Sequence, residues 1–383
     1  MTTKDRPTEI KALAGARAIP PLILVLYHFC EGHGYRNFKP FDLLVGHGYL
    51  WVEFFFALSG FILTYVYGDK VWAFWRGRVY RDFLTARLSR LYPLHLTMLL
   101  WILALMLILN AIAAVTHTVS IYQEPYHPIV TGQSFIANLF LVQAWNIFPY
   151  LTWNGASWFV SVEFLLCLLF PIYLVLARGG WLSAVGLTAT GVAGLAFLSL
   201  TSRHGGLDLT FHNGIYRGMS AFAVGVGLCI LNAKTKPFAD RLPEWAISLF
   251  QAAVLVWCGF GTFDNGWSHS PRDIYSVLPM MALVYALSFD RGFAARFFQM
   301  PALLRIGEWS YAIYIGQTVW LQLIREFERS YPWDASVFGV PFGALIWWPE
   351  PAVLVVLCVA WGWFLSTFIE TPANRALRRF FAR

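Results

Sequence analysis

Four ionisable residues interrupt long apolar segments of this 383-residue chain, namely His28, Glu53, Glu163 and Arg217. An ionisable side chain in a lipid-spanning segment is costly unless it faces a cavity or a partner, so each one marks a candidate functional position. A neutral imidazole is a competent general base near neutral pH, and a neighbouring carboxylate can orient it. We therefore expect His28 to abstract a proton, with Glu163 as its preferred partner and Glu53 as the second choice.

The depth of these four groups can be estimated from their positions along the spans predicted below, at a rise of about 1.5 Å per helical residue. The estimate puts all four in one layer near the outer side of the membrane. If the four spans converge laterally, they form a polar pocket that is open to the outside. The residues alone leave a second interpretation open, in which buried His–Glu or Arg–Glu pairs only join helices.

Three arginines are expected at the opposite, inner end of the same chamber. Arg87 and Arg90 are three residues apart and therefore share one face of a helix. Arg17 precedes His28 by eleven residues, which is about 16 Å along a helix. Guanidinium groups bind phosphate oxygens in a bidentate manner, so the spacing suits a phosphate-headed donor. A cytoplasmic anchor or a contact to anionic lipid headgroups explains Arg87 and Arg90 equally well.

The composition indicates a membrane protein. Hydrophobic residues make up 58% of the chain and charged residues 13%, against about 25% charged residues in soluble domains. We predict an all-α, polytopic protein with about ten transmembrane helices around a polar chamber, because that many apolar segments are long enough to cross a bilayer. A single membrane domain over residues 1–383 is expected. The predicted spans are 12–30, 46–67, 89–116, 157–177, 180–200, 214–232, 244–262, 274–290, 304–324 and 350–370.

The first span has two features of its own. It lacks a small-residue cleavage site, so we expect it to be retained and not removed as a signal peptide. Pro20 and Pro21 lie between Arg17 and His28. Proline bends or loosens a helix, so these two are expected to free backbone carbonyls toward a cavity.

The basic residues predict that both termini are cytoplasmic. With the predicted spans, most of the 28 Lys and Arg residues lie on the same side of the membrane as the N-terminus, whereas the predicted outer loop 117–156 contains none. The net charge of +7 is then explained by basic residues that stay in cytoplasmic loops beside the membrane lipids. No nucleic-acid partner is indicated. The five cysteines are scattered, and no cluster has metal-ligand spacing, so neither disulfides nor a metal site are predicted.

Several segments, taken in order, resemble the membrane-bound acyltransferase 3 family of bacterial O-acyltransferases. Arg17 and His28 resemble its Arg and His that are separated by ten residues, and Arg87 with Arg90 resembles its R-x-x-R pair. Four further segments are similar: "WVEFFFALSGFILTY" (51–65), "SWFVSVEFLLCLLFP" (157–171), "RGMSAFAVGVGL" (217–228) and "FIETPANRALRR" (368–379). The resemblance extends over nearly the whole chain.

One segment departs from the family pattern. Where the family often has Ser-Tyr-x-x-Tyr-x-x-His, this chain has "SYAIYIGQ" (310–317), which ends in Gln317. An amide can hydrogen-bond a sugar hydroxyl but cannot act as a base. The sequence therefore leaves open whether Gln317 takes over a functional role of that histidine.

The resemblance implies an enzyme that moves an acyl group, most commonly acetyl from acetyl-CoA, to a hydroxyl of an exopolysaccharide or another cell-surface glycan. It implies His28 as the catalytic base with Glu163 beside it. The implied donor-binding residues are Arg17, Arg87 and Arg90, and the implied pocket-lining residues are Glu53, Ser59, Arg217 and Gln317. Succinyl or longer acyl groups remain open.

Ser59 has two further interpretations. Beside Gly60 it is a typical small-residue packing point between helices. With an adjacent base it would suit the carrier of a covalent acyl group.

The resemblance also implies partners and a location, namely a glycan or lipid-linked sugar acceptor, glycan-assembly proteins and the bacterial inner membrane. Charges inside spans suit a secondary transporter or flippase for a glycan or acyl carrier as well. A receptor or scaffold is a third possibility, for which the short loops offer little surface.

Overall fold

A computed structural model of the chain describes residues 8–33, 45–74, 77–117, 130–202, 205–263, 270–330, 336–337, 340–341 and 350–381. Within these ranges all regular secondary structure is helical apart from one two-residue antiparallel strand pair, Ser336–Val337 with Val340–Pro341. The prediction of an all-α fold is therefore confirmed.

The α-helices are numbered here in chain order. They are α1 (Lys11–Ala16), α2 (Ile19–His33), α3 (Trp51–Tyr67), α4 (Val71–Phe74), α5 (Arg78–Thr116), α6 (Gly132–Leu139), α7 (Ser157–Leu176), α8 (Trp181–Thr201), α9 (Gly214–Ala239), α10 (Glu244–Phe263), α11 (Asp273–Leu287), α12 (Phe293–Phe298), α13 (Pro301–Ser330), α14 (Glu350–Leu365) and α15 (Thr371–Phe381). Short 3₁₀ turns cover Gly48–Leu50, Gly68–Lys70 and Ala177–Gly179, and a π-helical segment, Ser366–Glu370, joins α14 to α15.

Eight helical stretches of the described chain are long and apolar enough to cross a membrane. They are Lys11–Glu31, Gly48–Phe74, Arg78–Thr116, Ser157–Gly179, Trp181–Thr201, Gly214–Ala239, Glu244–Gly261 and Pro351–Phe381. The two other predicted spans correspond to α11, which is apolar but shorter, and to the middle of α13. The chain therefore has the helices of a multi-pass membrane protein, while the total of ten spans and the cytoplasmic termini stay predictions.

The first predicted span is broken in two at Arg17. Helix α1 ends at Ala16 and α2 begins at Ile19, so Pro20 and Pro21 occupy the first turn of α2. A proline is well tolerated in a first turn, where its missing N–H would have no helical partner. The prolines thus begin a second helix after a break, and Arg17 occupies that break.

Helix α1 is fastened to the C-terminal half of the chain. The backbone N–H of Ala12 donates to Oδ1 of Asp290, 278 residues later, at 2.8 Å. A Cβ on Gly15 would overlap the carbonyl oxygen of Phe298, and one on Gly307 would overlap that of Ala14. Glycine at these two positions therefore permits α1 to pack closely against α12 and α13.

Helices α3 and α9 cross at a glycine contact. A Cβ on Gly225 would overlap the carbonyl oxygen of Ala57, and a Cβ on Gly60 would overlap that of Phe222. Small residues allow such close approach between membrane helices, where dispersion contacts and not water exclusion hold helices together. Of the neighbours Ser59 and Gly60, the glycine therefore has the packing role.

The described part of the predicted outer loop, 130–156, folds back onto the helices. The carbonyl oxygen of Asn138 lies 2.9 Å from Nε2 of buried His95, and Ser161 Oγ of α7 donates to the carbonyl of Leu141 at 2.7 Å. Irregular backbone is tolerated among membrane helices where protein groups satisfy its hydrogen bonds. This part of the stretch is therefore core structure, while residues 118–129 lie outside the described residues.

The glycine contact gives a testable prediction for stability. We expect Gly225→Ala to lower the free energy of unfolding by about 1–3 kcal/mol, because the new methyl group must displace the backbone of α3. Thermal unfolding of the purified protein in detergent measures this change. Gly186→Ala on α8 is the matched control, since a Cβ there meets no atom within 4 Å. Equal unfolding temperatures for the two variants would contradict the close crossing.

Candidate active site

A cavity of about 110 Å³ lies between α3, α5, α7 and α13, beside the break after α1. Its polar lining consists of Arg17, Ser59, Arg87, Arg90, Glu163, Ser310, Tyr311 and Tyr314. Its apolar lining consists of Phe55, Leu58, Ile62, Leu63, Leu91 and Phe159. The three arginines that the sequence assigned to the donor are thus brought together, and two residues of the expected outer pocket, Ser59 and Glu163, lie with them.

Two carboxylates face the three guanidinium groups. Glu163 interacts electrostatically with Arg87, Arg90 and Arg17. Glu370, which is 7% exposed at the end of the π-helical segment, interacts with Arg90 and Arg17. The group of five therefore carries one net positive charge when all its members are ionised, and it suits an anionic ligand.

Several buried polar atoms around this cavity have no hydrogen-bond partner within the part of the chain that the structure describes. They are Nε of Arg87, Oε2 of Glu163, Oγ of Ser310 and Oε2 of Glu370. An unsatisfied buried polar atom costs about 1–3 kcal/mol, and native proteins contain few of them. Four such atoms beside three arginines mark this cavity as a candidate site for a polar ligand.

His28 lies apart from this group of charges. Its Nδ1 is 3.3 Å from Oε1 of Gln317, which is 1% exposed. The expected pairing of His28 with Glu163 is therefore corrected, because Glu163 accepts a hydrogen bond from Ser59 Oγ instead. Gln317 occupies the position next to the imidazole that was expected for a carboxylate.

Glu53 and Arg217 form a closed ion pair. Both side chains are fully buried, and the guanidinium group donates to Glu53 through Nε and Nη2. Nη2 also donates to the carbonyl of Tyr49 at 2.7 Å, and Nη1 donates to that of Leu209 at 3.3 Å. Neither residue lines the cavity described above. Their geometry corresponds to the interpretation in which a buried pair joins helices.

The expected single layer of charges is thus divided into separate environments. Ser59, the partner of Glu163, follows Glu53 by six residues, which is about 9 Å along α3. The start of α7, from which the depth of Glu163 was counted, lies inside the protein and not at its surface. Ser157, the first residue of α7, is fully buried and its carbonyl accepts from Gln143 Nε2 of the folded-back stretch at 3.1 Å.

One face of α13 connects the cavity with His28. Ser310 and Tyr314 line the cavity, and Gln317 contacts His28. The spacing i, i+4, i+7 puts these three on one helical face, over about 10 Å. The ring centroids of Phe159 and Tyr314 are 5.6 Å apart, beside the same face of α13.

Four of these residues were not singled out as site residues from the sequence: Ser310, Tyr311, Tyr314 and Glu370. A signal for each was nevertheless present. The first three lie in the quoted segment 310–317, and Glu370 is the acidic residue of the Glu-x-Pro that closes the family resemblance. A π-helical segment is often found at functional sites, but it cannot be read from the sequence.

Fold and site together define a multi-pass membrane protein with an arginine-rich cavity among its helices. A family model described as an acyltransferase domain matches residues 10–367. The chain therefore belongs to the acyltransferase 3 family, and it is a membrane acyltransferase.

Two relatives can be compared. The chain is 26% identical to acyltransferase MdmB of Streptomyces mycarofaciens over 98% of this chain and 94% of the relative. It is 33% identical to protein 2 in the picA locus of Rhizobium radiobacter, over 41% of this chain and 85% of that protein. No solved structure gives a significant match.

The closed ion pair gives a prediction that separates a structural role from a role in the site. We expect Glu53→Leu or Arg217→Met alone to destabilise the protein by about 3–5 kcal/mol, because each leaves one buried charge uncompensated. The double variant should recover most of that stability, since it removes both charges. Unfolding in detergent measures all three variants. A double variant as unstable as either single variant would contradict a purely helix-joining pair.

Proposed function

We propose that the protein is an O-acyltransferase of the bacterial inner membrane that moves an acetyl group from acetyl-CoA to a hydroxyl of an exopolysaccharide or another cell-surface glycan. The observation that supports it most strongly is the cavity with three arginines and unsatisfied polar atoms, which one helix face connects to His28. Both termini and the arginine end of the chamber face the cytoplasm in this proposal, and ten helices cross the membrane.

The arginine end of the chamber fits the phosphate groups of the donor. Nε of Arg87 is buried without a partner in the described chain, and Arg90 and Arg17 share the same cavity. Guanidinium groups bind phosphate oxygens through paired hydrogen bonds that are stronger than neutral ones. Glu163 and Glu370 offset part of the positive charge, so the donor's anionic groups would complete the balance.

The separation of Arg17 and His28 suits a long donor. Helix α2 begins at Ile19, after the break that holds Arg17, and the nine residues from Ile19 to His28 put the imidazole about 14 Å along α2 from that break. A donor whose phosphates lie among the arginines would extend its pantetheine arm along the face of α13 toward Gln317 and His28. The thioester would then lie beyond Ser59, which favours direct transfer over a covalent acyl-serine.

The proposed reaction is a single acyl transfer. The hydroxyl oxygen of the acceptor attacks the thioester carbonyl carbon while its proton passes to His28, which acts as general base. The tetrahedral intermediate breaks the carbon–sulfur bond, and the imidazolium returns the proton to the departing thiolate to give CoA-SH. In this scheme Glu163 holds Ser59 and the arginines, and it does not contact the base.

The acceptor approaches His28 from the outer side in this proposal, as a glycan or lipid-linked sugar that glycan-assembly proteins supply. Charged groups that act on His28 lie in α2, in the segment before α9 and near the end of α13, namely Glu31, Asp208 and Arg325. Membership of an acyltransferase family favours this proposal over the alternative of a secondary transporter or flippase for a glycan or acyl carrier.

The donor site is tested with Arg87→Gln and Arg90→Gln. We expect each variant to raise the KM for acetyl-CoA by roughly tenfold or more, because a lost hydrogen bond to a charged group is worth about 1.5–3 kcal/mol. Initial rates of acetyl transfer from labelled acetyl-CoA in membranes of expressing cells measure the effect. Arg81→Gln is the matched control, since its side chain on the same helix is 72% exposed. An unchanged KM in both variants would remove the arginines from the donor site.

The base is tested with His28→Ala. We expect kcat to fall by about 10²- to 10⁴-fold, the usual contribution of a general base, with little change in the KM for acetyl-CoA. His117→Asn is the control, because His117 is exposed at the end of α5 in a left-handed conformation that asparagine tolerates. Activity of His28→Ala at the level of this control would refute the assignment of the base.

A further inference from the structure

We propose that Gln317 is a positioning residue that holds His28 in one tautomer, with the proton on Nδ1 and the lone pair of Nε2 directed to the acceptor hydroxyl. This inference rests on the proposed function of His28 as the base. It gives a role to the residue that replaces the histidine often found at this position of the family.

The hydrogen bonds of the Gln317 amide determine the tautomer. Its Nε2 donates to the carbonyl of Tyr314 at 2.9 Å, so the orientation of the amide is fixed and its Oε1 is the atom that faces the imidazole. Oε1 lies 3.3 Å from Nδ1 of His28, and an amide oxygen can only accept a hydrogen bond. Nδ1 must therefore carry the proton. Because a neutral imidazole has one N–H, Nε2 keeps its lone pair and is the basic atom.

Hydrogen bonds to one asparagine hold the helix on both sides of Gln317. Nδ2 of Asn154 donates to the carbonyl of Ile315 at 2.9 Å, and Thr318 Oγ1 donates to Oδ1 of the same asparagine at 2.8 Å. Asn154 is 2% exposed and belongs to the folded-back stretch 130–156. The amide next to His28 is thus held by two layers of hydrogen bonds, which is how supporting residues keep a catalytic group in place.

An amide suits this position better than a second titratable group. It stabilises the Nδ1–H in both the neutral and the protonated imidazole, but it adds no negative charge and takes no proton itself. The imidazolium formed during transfer therefore gains little extra stability and can release its proton to the leaving thiolate. Among the residues that the structure describes, the charged or titratable groups near His28 are Glu31 and Tyr27 on its own helix, Asp208 before α9 and Arg325 on α13.

The experiment compares Gln317→Leu, Gln317→Glu and the control Gln322→Leu, which makes the same change five residues further along α13. Nitrogen-15 NMR of histidine-labelled full-length protein in lipid reports the tautomer, and the His28 resonances are identified by their loss in His28→Gln. Acetyl transfer from acetyl-CoA gives kcat, KM and the pH profile for each variant.

In the parent protein and in Gln322→Leu we expect the Nδ1–H tautomer. Gln317→Leu should lose that single tautomer and lower kcat about tenfold, the effect of one missing hydrogen bond, with an unchanged KM for acetyl-CoA. Gln317→Glu should restore Nδ1–H and activity. The acidic limb of its kcat profile should move to higher pH, because the carboxylate stabilises the imidazolium and the base becomes deprotonated only at higher pH.

An unchanged His28 spectrum and pH profile in Gln317→Leu would overturn the inference. A spectrum that changes as expected, together with full activity of His28→Ala, would instead refute the proposed function and leave the Gln317 contact standing. The two failures are therefore distinguishable.

Discussion

Three guanidinium groups and the carboxylate of Glu163 line one small cavity among apolar helices, and a second carboxylate, that of Glu370, interacts with two of the three arginines. Unpaired charges are too costly among membrane helices to be tolerated singly, so Arg17, Arg87, Arg90, Glu163 and Glu370 can be buried only together. They come from both ends and from the middle of the sequence. The fold must therefore bring α5, α7, the break after α1 and the π-helical segment to one place. The group has one net positive charge when all its members are ionised, and an anionic ligand would offset that charge.

A second buried charge pair has the opposite character. Glu53 and Arg217 satisfy each other and nearby carbonyls completely, next to a glycine crossing that fixes the approach of α3 to α9. A closed pair in a tight crossing sets the register of α3, and hence the position of Ser59 in the cavity. The contrast between a satisfied pair and an unsatisfied cluster distinguishes framework from site more clearly than charge alone.

The sequence was sufficient to predict the all-α fold, the approximate positions of most apolar helices and five of the residues that line the cavity, namely Arg17, Ser59, Arg87, Arg90 and Glu163. Ionisable residues stand out in apolar segments, and helical spacing is regular, so Arg87 with Arg90 and the two levels of Arg17 and His28 could be recognised. The partner of His28 could not be predicted, because it depends on which faces of α2 and α13 meet. The inward fold of residues 130–156 could not be predicted either, because nothing in their composition separates a buried polar network from an outer loop.

The attachment of α1 to the far end of the chain has a consequence for how the cavity is made. Arg17 is synthesised long before Asp290, α12 and α13, which supply the contacts that fix α1, and before Glu370. Until those segments are inserted, the guanidinium group of Arg17 lacks its final neighbours and one of its two cavity counter-charges, since only Glu163 precedes them. The cavity is therefore completed only after residue 370 has been inserted, and a chain that stalls before this point would keep an incompletely compensated cation beside α1.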